Sequence, residues 1–129
     1  GDRDYVWGAN GQQGVTQDAS SPNWLNLDPT ETDRITMNFK VTAPQGALWR
    51  FNLTNYLDFE FANEAATSGM ASNDNISITV VAKKPWSGYV RSTELYLTVD
   101  GKEAQIVKRF RDTNQSPGPT KRFMIRQTI

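Results

Sequence analysis

The sequence predicts an all-β domain, an antiparallel sandwich of about seven strands. Three observations carry that expectation. Apolar residues recur at every second position in several short segments, the period of a half-buried strand. An Asp-Gly dipeptide joins two such segments. No stretch of helix length shows apolar residues at a spacing of about 3.6.

The elements follow in order. Residues 1–33 are rich in Gly, Asn, Gln, Ser, Asp and Pro, show no sustained period, and read as an irregular segment or linker. Within them Tyr5-Val6-Trp7 and Trp24-Leu25-Asn26-Leu27 are short strand candidates that cover an edge. The sandwich proper is expected over residues 34–129. Ile35, Met37, Phe39 and Val41 alternate with Thr36, Asn38, Lys40 and Thr42, and Ala43-Pro44-Gln45-Gly46 then turns the chain. Trp49, Phe51 and Leu53 form a second alternating set, and Leu57, Phe59 and Phe61 a third. A polar loop of small residues is expected from Asn63 to Asn75. Ile76, Ile78, Val80 and Ala82 restart the alternation until Lys83-Lys84-Pro85-Trp86-Ser87-Gly88 interrupts it.

Leu95, Leu97 and Val99 run into Asp100-Gly101, a pair that tolerates positive φ at both positions and so suits a type I′ hairpin. A two-residue loop fixes the register: Val99 opposite Lys102, Leu97 opposite Ala104, Leu95 opposite Ile106. After Phe110 a polar loop is expected from Asp112 to Thr120, then a last strand carrying Phe123 and Ile125.

Composition sets limits on the chemistry. At 129 residues the chain has room for one core. It contains neither histidine nor cysteine, which removes Ser-His-Asp and Cys-His nucleophile systems, thiol redox chemistry and zinc sites built on those residues. No cofactor or metal is expected, and the chain is not expected to be an enzyme. The net charge is zero, yet residues 1–80 hold only Arg3, Arg34, Lys40 and Arg50 as bases, while Lys83, Lys84, Lys108, Arg109, Arg111, Lys121, Arg122 and Arg126 crowd the later part. A basic half can bind nucleic acid. A sandwich instead interleaves early and late strands, so cross-strand pairing is the favoured reading and no nucleic-acid partner is expected. No apolar run approaches the roughly 18 residues of a membrane span. The opening Gly-Asp-Arg-Asp, with no methionine and no signal peptide, suggests a mature or excised segment of a longer protein.

Several short stretches occur together: Trp49-Arg50-Phe51-Asn52-Leu53-Thr54-Asn55, Asp58-Phe59-Glu60-Phe61, Ser68-Gly69 and Ile76-Ser77-Ile78-Thr79-Val80. Lys84-Pro85-Trp86, Arg91-Ser92-Thr93-Glu94-Leu95 and the closing Phe123-Met124-Ile125-Arg126-Gln127 follow. This order resembles the immunoglobulin-like domains of Bacteroides-type surface and periplasmic proteins, including BACON-like (Bacteroidetes-associated carbohydrate-binding) domains and domains of fimbrial adhesins. The resemblance covers about residues 34–128. It implies a seven-strand immunoglobulin-like sandwich at the cell surface or in the periplasm, within a larger parent that carries a lipid anchor. It brings no catalytic site.

Trp49 alternates with core residues and reads as the buried tryptophan of the sandwich. Trp7, Trp24 and Trp86 stand in loop-like sequence, where each reads either as a lid over an open end or as a platform for a sugar ring. Lys83-Lys84-Pro85-Trp86-Ser87-Gly88-Tyr89 gathers two cations and two aromatics, which makes Trp86, Tyr89 and Lys84, with Trp24 and Trp7, the candidate ligand-binding residues. Asp58 and Glu60 are a carboxylate pair, but nothing nearby supplies the environment that raises a general acid, and a solvated face is the simpler reading. Asn73-Asp74-Asn75 and residues 28–33 match no calcium-ligand spacing and read as turns. The expectation is a non-catalytic surface module acting in adhesion or as a spacer, with a glycan or a neighbouring protein domain as partner. Two alternatives stand beside it: carbohydrate binding through loop aromatics, and a fimbrial subunit assembling by strand exchange through residues 1–33 or 120–129.

Overall fold

The computed structural model describes residues 15–17, 24–28, 31–40, 44–72, 75–84, 90–102 and 104–112. Among them are nine strands: β1 (Val15–Gln17), β2 (Trp24–Leu27), β3 (Arg34–Lys40), β4 (Leu48–Leu53), β5 (Phe59–Phe61), β6 (Ser68–Met70), β7 (Asn75–Ala82), β8 (Arg91–Val99) and β9 (Gln105–Asp112). A single 3-10 turn, Glu64–Thr67, precedes β6. The larger sheet has the order β1-β2-β9-β8-β4-β6 and the smaller β3-β7-β5. The chain is an immunoglobulin-like β-sandwich, and the alternation read from the sequence is what builds its core.

On β3 the buried residues are Ile35, Met37 and Phe39, with Thr36 and Asn38 on the opposite face. On β4 they are Trp49, Phe51 and Leu53, and on β7 Ile78, Val80 and Ala82, with Val81 buried as well. The Phe39 and Phe51 rings stack at 5.1 Å between centroids and join the two sheets at their middle. Fully burying each such side chain contributes roughly 2–3 kcal/mol. Lys108 also lies inside, on β9, and burial lowers the pKa of its ammonium.

The β8–β9 hairpin turns as its dipeptide requires. Asp100 and Gly101 have φ of 53° and 69°, and Lys102 N–H donates to Val99 C=O at 3.1 Å. Asp100 also ties the turn to β4, because its carboxylate accepts from Leu48 N–H at 2.8 Å. Away from the turn the expected register fails. Leu97 faces Gln105 rather than Ala104, and after an irregularity between Leu95 and Tyr96, Leu95 faces Lys108 rather than Ile106. Extra residues on the β9 side shift the phase, so Val107 and Lys108 are both buried while Ile106 turns outward.

Other expectations are corrected by packing. Leu57 is exposed, because the turn closed by the Asn55 side chain carries it outward before β5 begins at Phe59. The segment from Asn63 to Asn75 is not all loop: residues 68–70 form β6 against β4. A side chain on Gly69 would bring its Cβ within 2.9 Å of the Trp49 indole, so the glycine is what lets the strand lie there. Asp112 does not open a loop; it ends β9 and is fully buried.

Within residues 1–33, Trp24–Leu27 is a strand as read, and Leu25 and Leu27 are fully buried in the core. It pairs in parallel with β9, a departure from the purely antiparallel arrangement expected, because the early strand enters the sheet beside the last one. Tyr5-Val6-Trp7, Val41 and the expected strand at Phe123 and Ile125 lie outside the described residues.

Candidate functional site

Of the five candidate ligand-binding residues, Trp24 and Lys84 fall among the described residues; Trp7, Trp86 and Tyr89 lie outside them. The two that can be placed belong to different sheets. Trp24 is on β2 of the larger sheet, half-buried under the Arg111 guanidinium at 4.6 Å from the ring centroid. Lys84 follows β7 of the smaller sheet and is exposed near Asp33, whose pKa it helps to lower. The main cause there is the adjacent Arg34, which donates to the Asp33 carboxylate at 3.0 Å.

The outer face over β2, β9 and β8 is where charged and planar groups gather. Arg111 Nε donates to Asn26 Oδ1 at 2.9 Å, and Arg109 Nε donates to Glu94 Oε2 at 3.1 Å. Side chains from three strands therefore make one braced strip: Trp24 and Asn26, then Arg109 and Arg111, then Glu94. The alternation of strand side chains places them there, since residues two apart share a face.

At the end of the sandwich where β9 finishes lies a second cluster. Arg91 reaches Asp112 at 2.9 Å and Asp58 at 3.6 Å, and its guanidinium lies 5.8 Å from the centre of the Phe59 ring. Asn55 donates to Asp58 at 2.9 Å and to the Ser92 carbonyl at 3.0 Å. Asp58 is thus engaged by a cation and an amide, while Glu60 is exposed on β5. The two carboxylates considered from the sequence therefore have different surroundings.

Arg91–Asp58 is also a contact between the acidic early half and the basic late half. Lys84 acts on Asp33 across the same divide, whereas Arg34–Asp33, Arg91–Asp112 and Arg109–Glu94 pair within one half. Among the described residues no cluster of three or more acidic, histidine or cysteine side chains is placed to hold a metal. No helix among them is long and apolar enough to cross a membrane.

A cleft of about 570 Å³ lies by the β4–β6 margin, lined by Leu48, Arg50, Ser68, Thr98 and Asp100. Another of about 240 Å³ opens where the two sheets part, between Trp49, Gly69, Met70 and Ile76. Sequence reasoning missed the Trp24–Asn26–Arg111 brace and the Arg91–Asp112 pair. The one available signal was Leu25 and Leu27 alternating with Trp24 and Asn26, which put the latter two on the face opposite the core.

No family model matches the chain. Two curated proteins do, each named Major fimbrium subunit FimC and each from Porphyromonas gingivalis, at 32% identity over 102 residues. That stretch is 78% of this chain but 21% of those proteins, so the chain spans about a fifth of the length of the relatives it matches. The chain is a β-sandwich similar in sequence to one part of a bacterial fimbrial subunit.

Proposed function

We propose that this chain is a non-catalytic module of a fimbrial subunit at the cell surface, acting in adhesion or as a spacer between functional parts. The observation that carries the reading is the similarity to a fimbrial subunit over most of a chain that folds as one sandwich. Its chemistry supports a binding or scaffolding role. The sequence has no histidine or cysteine, and the charged side chains of the two clusters are engaged with one another across strands. Protein surfaces are the partners such a module meets. To test it, antibodies raised against this chain are applied to whole cells of its source and to filaments sheared from them. Labelling of the filaments is expected; signal confined to the cell interior would defeat the reading.

A second reading, assembly by strand addition, is favoured by one specific feature. β6 ends the larger sheet, and its residues Ser68, Gly69 and Met70 carry no charge and no proline, the usual guards of an open edge. Ala71 N–H donates to Ala47 C=O at 2.8 Å, so by antiparallel alternation the backbone groups of Met70 point away from β4. Met70→Pro then removes an outward donor without breaking the β4 ladder. If chains associate through this edge, the substitution abolishes association in sedimentation. A wild-type chain that stays monomeric at every concentration would rule the reading out.

A further inference from the structure

Side chains on the outer face of the larger sheet meet in two rows near its β6 margin. Register sets Ser68 of β6, Arg50 of β4 and Thr98 of β8 side by side. Two positions along β4, Leu48 stands between Met70 of β6 and Asp100 of the hairpin turn. Neighbours within a row are roughly 5 Å apart, and the rows are about 7 Å apart. Ser68, Arg50, Thr98, Leu48 and Asp100 all line the cleft of about 570 Å³, a volume within the range of small-molecule sites.

Unused polar capacity distinguishes this cleft. The arginines of β8 and β9 are engaged: Arg91 by Asp112, Arg109 by Glu94, Arg111 by Asn26. The Arg50 guanidinium is exposed and has no partner among the described residues. Ser68 Oγ, half-buried beside it, has none among them either. Thr98 Oγ1 makes only a long contact to the Arg50 carbonyl, at 3.5 Å. In the other row one Asp100 oxygen accepts from Leu48 N–H at 2.8 Å, which leaves the second oxygen for a donor.

A guanidinium is a fork of donors that fits a carboxylate through two parallel hydrogen bonds. The hydroxyls on either side of it both donate and accept, as those of a sugar do. The Asp100 carboxylate repels an anion and accepts from a hydroxyl, so it fixes which end of a ligand lies where. Leu48, 58% exposed, adds an apolar wall beside it. We propose that this cleft binds a carboxylated sugar. Its carboxylate lies on Arg50, its hydroxyls are shared among Ser68, Thr98 and Asp100, and its ring edge runs along Leu48. A phosphate fits less well, because a single guanidinium meets it and a carboxylate stands about 7 Å away. The inference goes beyond the surface-module reading and does not depend on it, since the cleft belongs to this chain wherever the chain is displayed.

The test is titration of the full chain with glucuronate, followed by calorimetry and amide NMR. A Kd on the order of 1 mM is expected, with shifts at Ser68, Gly69, Thr98 and Gly101. Glucose lacks the carboxylate and N-acetylglycine lacks the hydroxyls, so each should bind about tenfold more weakly. Arg50→Ala should lose about tenfold in glucuronate affinity at unchanged thermal stability, because the residue is exposed. Ser68→Ala should lose about threefold. The methyl glycoside presents the ring as a glycan terminus does. Binding equal to that of glucuronate assigns the site to glycan ends, and weaker binding assigns it to the free acid. Glucose or N-acetylglycine binding as well as glucuronate, or an Arg50→Ala chain that binds like the wild type, would overturn the proposal. So would shifts confined to other residues, or no binding at about ten times the expected Kd.

Discussion

At one margin of the larger sheet, β2 is held to β9 by a guanidinium that bonds an asparagine and covers a tryptophan, with two leucines anchored beneath. At the other margin, β6 is held to β4 by three residue pairs and by an indole lying over a glycine. The first margin is secured by directional contacts between side chains on its outer face. The second depends on the absence of a side chain on its inner face. A sheet edge can be closed by adding groups or by removing one, and the two solutions fail differently: the braced margin weakens by degrees, whereas the other gives way once its space is filled.

The strongest disturbance of the braced side is at its buried end. Asp112→Ala leaves Arg91 without its fully buried partner, and should cost about 3–5 kcal/mol in urea unfolding. A loss well under that would mean that Asp58 alone can hold the arginine. Next comes the glycine margin. Gly69→Val drives a side chain into the Trp49 ring and should cost about 1–3 kcal/mol, with a change in the tryptophan near-UV signal. Unaltered stability and spectrum would show that the indole moves aside freely.

Smaller effects sharpen the contrast. Arg111→Ala removes a hydrogen bond and a cation–π contact from the outer face, and should cost about 1 kcal/mol, measured by thermal unfolding. Lys108 tests the interior of the same strand through pH. Burial lowers its pKa below the usual 10.5, so across that interval the unfolded chain binds the proton more readily. Stability therefore rises as pH climbs from the lowered value toward 10.5 and levels above it. Lys108→Met should flatten that rise and raise stability at neutral pH by about 1 kcal/mol. A rise that persists in the variant would assign it to another group.

Much of the frame was legible in the chain. Ile35, Met37 and Phe39 point inward because a strand alternates its side chains whatever its neighbours are, and Trp49, Phe51 and Leu53 follow the same rule. Asp100-Gly101 turns as it does because its two residues tolerate positive φ. The register beyond the turn was not legible, since extra residues on β9 rephase Val107 and Lys108 without any local signature. β6 was missed for a similar reason: Ser68-Gly69-Met70 has no strand pattern of its own, and only Trp49, about 20 residues earlier, gives the glycine a purpose. The surroundings of Trp24 were not legible either. Trp24 was singled out as an aromatic, but Arg111, which covers it, lies far along the chain.

The sequence by itself determined an all-β chain, the inward residues of its longer strands, the hairpin turn and the exclusion of histidine and cysteine chemistry. Each follows from properties local to a few consecutive residues: period, backbone freedom, composition. Only the tertiary structure decided that β2 lies parallel beside β9, that Arg91 buries Asp112, and that an indole occupies the space above Gly69. Those pairings join residues distant in sequence. Their energy exists only after the loop between them has closed, so no local pattern encodes them.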